Sequence, residues 1–81
     1  MLYLVDKPMA DIAFRTAAGD EDACLVLLQD GVLLDPDLDV PTYAVAKDVD
    51  VRGIELPPDI ERISYDAVVE MVVEQEVNSF V

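Results

Sequence analysis

Cys24–Val32, read CLVLLQDGV, is the most nearly continuous apolar run in the chain, and it stops at Gln29-Asp30-Gly31. Its length suits a strand better than a helix, and it is hydrophobic on both faces. That is the pattern of a central strand in a parallel sheet covered above and below. The other elements fall into place around it. Met1–Val5 reads as a first buried strand. Met9, Ile12, Ala13 and Ala17 then recur at helical spacing behind Pro8, which suits a first helical turn, and Gly19 marks the stop. Asp20-Glu21-Asp22 forms an acidic loop into the central run. Val32–Asp39, with Pro36 set among aspartates, predicts a loop holding one turn at most.

Val40–Ala46 is a third strand, with Pro41 near its beginning, where proline is tolerated. Asp48–Gly53 is a short helix closed by its glycine, and Leu56-Pro57-Pro58-Asp59 is a rigid connector to a fourth strand, Ile60–Tyr65. Asp66 is then the predicted cap of a final helix. Asp66, Glu70, Glu74 and Asn78 recur every four residues, opposite Val68, Val69, Val72, Val73 and Val77. The valines favour a strand, but the period of four predicts a helix. Strands joined by helical connections give one α/β domain over residues 1–81, with about four mostly parallel strands and right-handed crossovers. Two helices and one short one do not cover both faces of such a sheet, so part of a face is expected to be open.

Composition sharpens that expectation. A chain of 81 residues is one domain and buries little more than about 60% of its unfolded surface. Yet 53% of its residues are hydrophobic, which predicts a subunit that covers apolar surface with partners. Eighteen acidic residues against five basic ones and no histidine give a net charge of −13. A surface of that sign repels phosphate backbones, so no direct nucleic-acid contact is expected. The acids are spread along the whole chain, and only Lys7 and Lys47 are lysines. Such self-repulsion is tolerated where concentrated salt screens it, which points to a salt-loving host. A single cysteine excludes an intrachain disulfide and fits a reducing cytoplasm. No apolar run approaches the roughly 18 residues of a membrane span, and Met1–Val5 is too short for a signal-peptide core.

Three constellations are candidates for chemistry. Cys24 is the only thiol and a weak candidate nucleophile. Asp20, Glu21 and Asp22 lie just upstream and disfavour its thiolate. It also begins its strand, roughly 20 Å from Asp30 at about 3.3 Å per residue and on the edge opposite that where ligands of open parallel sheets bind. Asp6, Asp30 and Asp48 each follow a predicted strand and together offer hard oxygen ligands for Mg²⁺. Aspartate favours such turns anyway, and no metal is assigned. Arg52-Gly53 could meet an anion or a partner's carboxylate, although arginine followed by glycine is also ordinary helix capping. Tyr65 is either an interface anchor or a core tyrosine. There is no Gly-rich phosphate loop, no Ser/His/Asp set and no paired-cysteine motif, so neither a cofactor nor an independent catalytic centre is expected.

Leu27-Leu28-Gln29-Asp30-Gly31-Val32, Tyr43-Ala44-Val45, Asp48, Arg52-Gly53 and Ser64-Tyr65-Asp66 follow one another in order. In this order and spacing the chain resembles the DsrH/TusB family of small sulfur-relay subunits. The resemblance spans nearly the whole chain. It implies a small three-layer DsrE-like α/β fold and a hetero-oligomer with DsrE/TusD-like and DsrF/TusC-like subunits. Such assemblies pass persulfide sulfur towards 2-thiolation of the tRNA wobble uridine or act in sulfur oxidation. In the related thiol-bearing subunit the cysteine lies on the helix preceding an Arg-Gly like Arg52-Gly53, whereas Val45–Asp50 here has none. The resemblance therefore implies a non-catalytic subunit, whose strand-end crevice or partner interface would involve Asp30, Gly31, Asp48, Arg52, Gly53 and Tyr65. The chain departs from the family in a shortened segment after Gly31 and in a tail, Asn78-Ser79-Phe80-Val81, that lacks tryptophan. Two other classes compete: a thiol sulfurtransferase using Cys24, and a stand-alone acidic, homo-oligomeric binding module.

Overall fold

A computed structural model describes all 81 residues. Strands β1 (Leu2–Val5), β2 (Cys24–Leu27), β3 (Thr42–Val45), β4 (Ile60–Ile63) and β5 (Val77–Phe80) form one sheet, with helices α1 (Ala10–Ala18), α2 (Ala46–Arg52) and α3 (Tyr65–Glu74) between them. The order is β4-β3-β2-β1-β5, and every neighbouring pair is parallel. β2 is central and buried on both faces, as its composition requires: Leu25, Val26 and Leu27 have no exposed surface.

Right-handed crossover decides which face each helix covers. From β1 to β4 the chain steps in one direction across the sheet, so α1, a 3₁₀ turn (Gln29–Leu33) and α2 lie on the same face. There Ala10, Ala13, Ala17, Val32 and Val49 pack on Tyr3, Val5, Leu25, Leu27 and Ala44 in the main core. The β4-to-β5 connection runs back across three intervening strands, so its helix, α3, must lie on the other face. That face holds a core of only four buried residues, Leu2, Val26, Val45 and Val68. A ten-residue helix is about 15 Å long, set against a sheet roughly 19 Å wide between its outer strands. Leu4, Cys24, Leu28, Tyr43, Ile63 and Val77 are accordingly left half-buried around it. That face is the less deeply buried of the two, with none of these residues exposed.

Four details differ from the sequence reading. The sheet has five strands. The final helix ends at Glu74, and Val77–Phe80 leaves it to pair with β1, where Phe80 stacks on Tyr3 with ring centroids 6.0 Å apart. Ser64, not Asp66, caps α3: its hydroxyl accepts from the Ala67 N–H at 3.1 Å, while Asp66 sits in the first turn beside the positive end of the helix. β2 stops at Leu27, because Gln29 turns into the left-handed region at φ 50° and opens the 3₁₀ turn. The short helix begins two residues early, at Ala46, and closes as expected on Gly53 in the left-handed conformation (φ 62°). No helix is long and apolar enough to cross a membrane.

Candidate functional site

Parallel pairing brings the carboxyl ends of all five strands to one edge, where the segments after β2, β3 and β4 meet. The centre of this edge is Asp48, in the first turn of α2 and only 9% exposed. Its Oδ2 accepts two hydrogen bonds, from the Tyr65 hydroxyl at 2.6 Å and from the Gln29 backbone N–H at 2.7 Å. One carboxylate oxygen thus ties the start of α3 and the strained turn after β2 to the start of α2. Arg52, one helical turn further on, donates through Nη1 to the Asp48 carbonyl at 3.2 Å and stands 3.8 Å from Asp48 Oδ1. Its Nε and Nη2 reach Asp30 Oδ1 at 3.0 and 2.9 Å.

Asp30, Gly31, Asp48, Arg52 and Tyr65 are therefore brought together. Gly31 is buried in the 3₁₀ turn against the end of β1, whereas Gly53 lies exposed at the far end of α2 and serves only as its cap. Tyr65 resolves into both of its sequence readings: the hydroxyl is held by Asp48, and the ring remains in part exposed. The residue that sequence reasoning missed is Gln29. Its contribution is a backbone N–H aimed by a positive φ, which leaves no mark on side-chain pattern.

The three-aspartate cation site does not form. Asp6 caps the turn after β1, accepting from the Lys7 N–H at 2.7 Å, Asp30 is paired with Arg52, and Asp48 is engaged as above. No three His, Cys, Asp or Glu side chains converge anywhere in the chain. Cys24 sits on the opposite edge at the start of β2 and is half-buried. Burial pushes its thiol pKa up, against a smaller opposing pull from the N-terminal ammonium. Beside the lock, between the first turns of α2 and α3, runs an open groove of about 460 Å³ lined by Ala46, Lys47, Val51, Ser64, Tyr65 and Asp66. Asp50 lines it as well, and no thiol does.

The lock bears on the proton of the Tyr65 phenol. Donation to Asp48 raises the Tyr65 phenol above its ordinary 10.0, with burial and the Asp48 charge adding and Arg52 opposing. Tyr3 is raised too, by burial first and then by its 3.1 Å hydrogen bond to Asp20. A raised phenol keeps its proton in the folded state after the unfolded chain has lost it. The native form then binds more protons than the unfolded one, and stability falls as pH rises past 10.0. Denaturant midpoints measured across this alkaline range are expected to decline, and Tyr65→Phe is expected to flatten the decline. An equal slope in the variant would show that Tyr65 is not coupled to Asp48.

No protein-family model matches the chain, and no curated protein matches it. Among solved structures it is similar to the solution NMR structure of protein Tm0979 from Thermotoga maritima, with a TM-score of 0.63 at 21% identity, over 94% of this chain and 95% of that one. At that identity the likeness shows the fold alone: a small α/β domain built on a parallel sheet.

Proposed function

We propose that this chain is a non-catalytic subunit of a DsrEFH/TusBCD-like sulfur-relay complex. It would support persulfide transfer for 2-thiolation of the tRNA wobble uridine, with the reactive thiol on a partner. The observation that carries this reading is the strand-end lock. Asp30, Asp48, Arg52 and Tyr65, four of the positions on which the DsrH/TusB resemblance rests, are tied to one another, with the Gln29 N–H joining at Asp48. The helix that would bear a sulfur-carrying cysteine, α2, has none. A net charge of −13 suits a subunit that leaves the tRNA to its partners. The less deeply buried face around α3 gives such partners apolar surface to cover.

The test is co-expression with DsrE/TusD-like and DsrF/TusC-like subunits, purification in concentrated KCl, and loading with a sulfane-sulfur donor before intact-mass analysis. Co-elution is expected, with sulfur on a partner and no mass gain of a sulfur atom on this chain. Elution alone overturns the reading, and sulfur on Cys24 replaces it with the thiol sulfurtransferase. The raised thiol pKa and the position of Cys24 on the far edge weigh against that outcome.

A further inference from the structure

Of the twelve aspartates in the chain, Asp30 alone precedes a glycine. The fold has a use for both residues. The carboxylate at position 30 takes the Arg52 Nε and Nη2 on its Oδ1, at 3.0 and 2.9 Å, and so fastens α2 to the turn after β2. Position 31 has to be glycine, because any Cβ there would run into the Val5 backbone. The same dipeptide is the one most open to spontaneous rearrangement. With no side chain on the second residue, nothing shields its amide nitrogen from the carboxyl carbon of the residue before. Asp11, Asp39, Asp48, Asp50 and Asp59, by contrast, each precede valine or isoleucine, whose branched Cβ crowds that approach.

We propose that Asp30–Gly31 is the site at which this chain isomerises to isoaspartate, and that Arg52 and the 3₁₀ turn hold the reaction in check. The chemistry is intramolecular. The Gly31 nitrogen attacks the side-chain carboxyl carbon of Asp30. An N–Cγ bond forms, a Cγ–O bond breaks, and the amide hydrogen leaves with the carboxyl OH as water. Water then opens the succinimide ring at either carbonyl. Opening at the side-chain carbonyl restores aspartate. Opening at the main-chain carbonyl leaves isoaspartate, with the chain running on through Cβ and Cγ and one carbon longer. In the folded protein both reacting groups are engaged. Arg52 grips the carboxylate with two donors on one oxygen, and the Gly31 N–H points at the Leu28 carbonyl, 2.9 Å away, instead of at Cγ. Gly31 is also buried against the end of β1, so the turn has no room to swing nitrogen onto carbon. The Asp30 side chain itself is 58% exposed. Water is therefore at hand, and geometry alone withholds the reaction. Once formed, isoaspartate would lengthen the turn whose Gly31 N–H and carbonyl meet Leu28 and Leu34, and would take the carboxylate away from Arg52.

This inference concerns the chain itself and does not depend on the sulfur-relay reading. Its test is ageing of the purified protein at neutral pH, folded or unfolded in guanidinium chloride, with circular dichroism confirming the state of each sample. Isoaspartate is read by methylation with a protein isoaspartyl methyltransferase and located by peptide mapping, which separates Asp30 from deamidation at Asn78, the one asparagine. In the unfolded chain it is expected to accumulate at residue 30 ahead of every other aspartate. The folded wild type is expected to react there more slowly by about tenfold or more, as a turn does that opens in a minority of molecules. Arg52→Met is expected to raise the folded rate about two- to fivefold, the extra opening that follows loss of an ion pair of this exposure. Arg52→Lys, a milder change that keeps the charge and loses the two-donor grip, is expected to raise it less. Arg62→Met makes the same change of charge and breaks an ion pair of its own, with Asp50 at 2.8 Å, but leaves the rate at residue 30 unchanged. A folded wild type that isomerises there as fast as the unfolded chain overturns the proposal, as does isoaspartate that accumulates first at another aspartate. Folded Arg52 variants no faster than wild type, or no faster than Arg62→Met, do the same.

Discussion

Gly31→Ala is expected to lower stability by about 2–4 kcal/mol, the largest effect of a methyl group added at any of the three glycines. A Cβ at this position would drive into the carbonyl oxygen of Val5, and would lie 3.2 Å from the Val5 carbonyl carbon and 3.3 Å from the Asp6 Cα. All three obstacles are backbone, so no side chain can rotate away. The Val5 carbonyl also accepts the Leu28 N–H at 3.0 Å, the bond that fastens the exit of β2 to the end of β1. Making room means lifting the 3₁₀ turn off the sheet and breaking that bond. Overpacking of about 1–3 kcal/mol and a lost backbone hydrogen bond of about 1 kcal/mol add to the stated size. For a domain whose whole stability is about 4–12 kcal/mol, that is a large share. At about 4–8 °C per kcal/mol, the midpoint of thermal unfolding, followed by far-UV circular dichroism, should fall by about 8–32 °C. A drop below about 5 °C would show that the turn is free to move away.

Asp48→Ala follows closely, at about 3 kcal/mol. The change removes two hydrogen bonds to an ionised acceptor, from the Tyr65 hydroxyl and the Gln29 N–H, each worth about 1.5–3 kcal/mol. Water replaces part of this, because Gln29 and the Tyr65 ring are exposed. It also leaves the left-handed turn at Gln29 without the bond that holds it. Asp48→Asn separates charge from geometry. Both donors end on the same oxygen, so an amide carbonyl placed there keeps both bonds, and its NH₂ turns towards Arg52 at the old Oδ1 position, 3.8 Å away. The asparagine variant is expected to lose only about 1 kcal/mol. In the alanine variant the Tyr65 phenol should also return towards its ordinary pKa, since its largest perturbing cause is gone. Equal melting points for the two variants would remove Asp48 from the centre of the lock.

How far the fold could be read in advance tracks where burial dictates composition. β1 to β3 are legible because each presents apolar residues where both faces are covered, and β4, an edge strand with Glu61 and Arg62 exposed, because Ile60 and Ile63 follow the Pro57-Pro58 connector. α1 is legible through Ala13 and Ala17, which are buried, although Met9 and Ile12 of the same periodic set are exposed and Ala10 takes their place in the core. β5 is not legible. Val77-Asn78-Ser79-Phe80 is an edge strand whose buried contact is Phe80 on Tyr3, and Asn78 extends the four-residue period of α3 past its true end. No glycine or proline marks that end. At Gln75 the backbone simply becomes extended, at φ −149° and ψ 168°. The members of the site stand out in the sequence because Asp, Gly, Arg and Tyr are conspicuous after apolar runs. Their partnerships do not, because strand order, which only tertiary structure supplies, decides that β2 lies beside β3 and that Gln29 meets Asp48.

The strand order also bears on how the chain is made. β5, which follows the other four strands in the chain, pairs with β1, which precedes them, and α3 reaches its face of the sheet only when that pairing closes. While a ribosome still holds the last residues, β1 to β4 can assemble with α1 and α2, but the greasy side of that half-built sheet stands uncovered and β1 keeps a bare edge. Such a nascent form invites strand addition from neighbouring chains. The chain is open to such pairing until β5 has emerged and closed on β1.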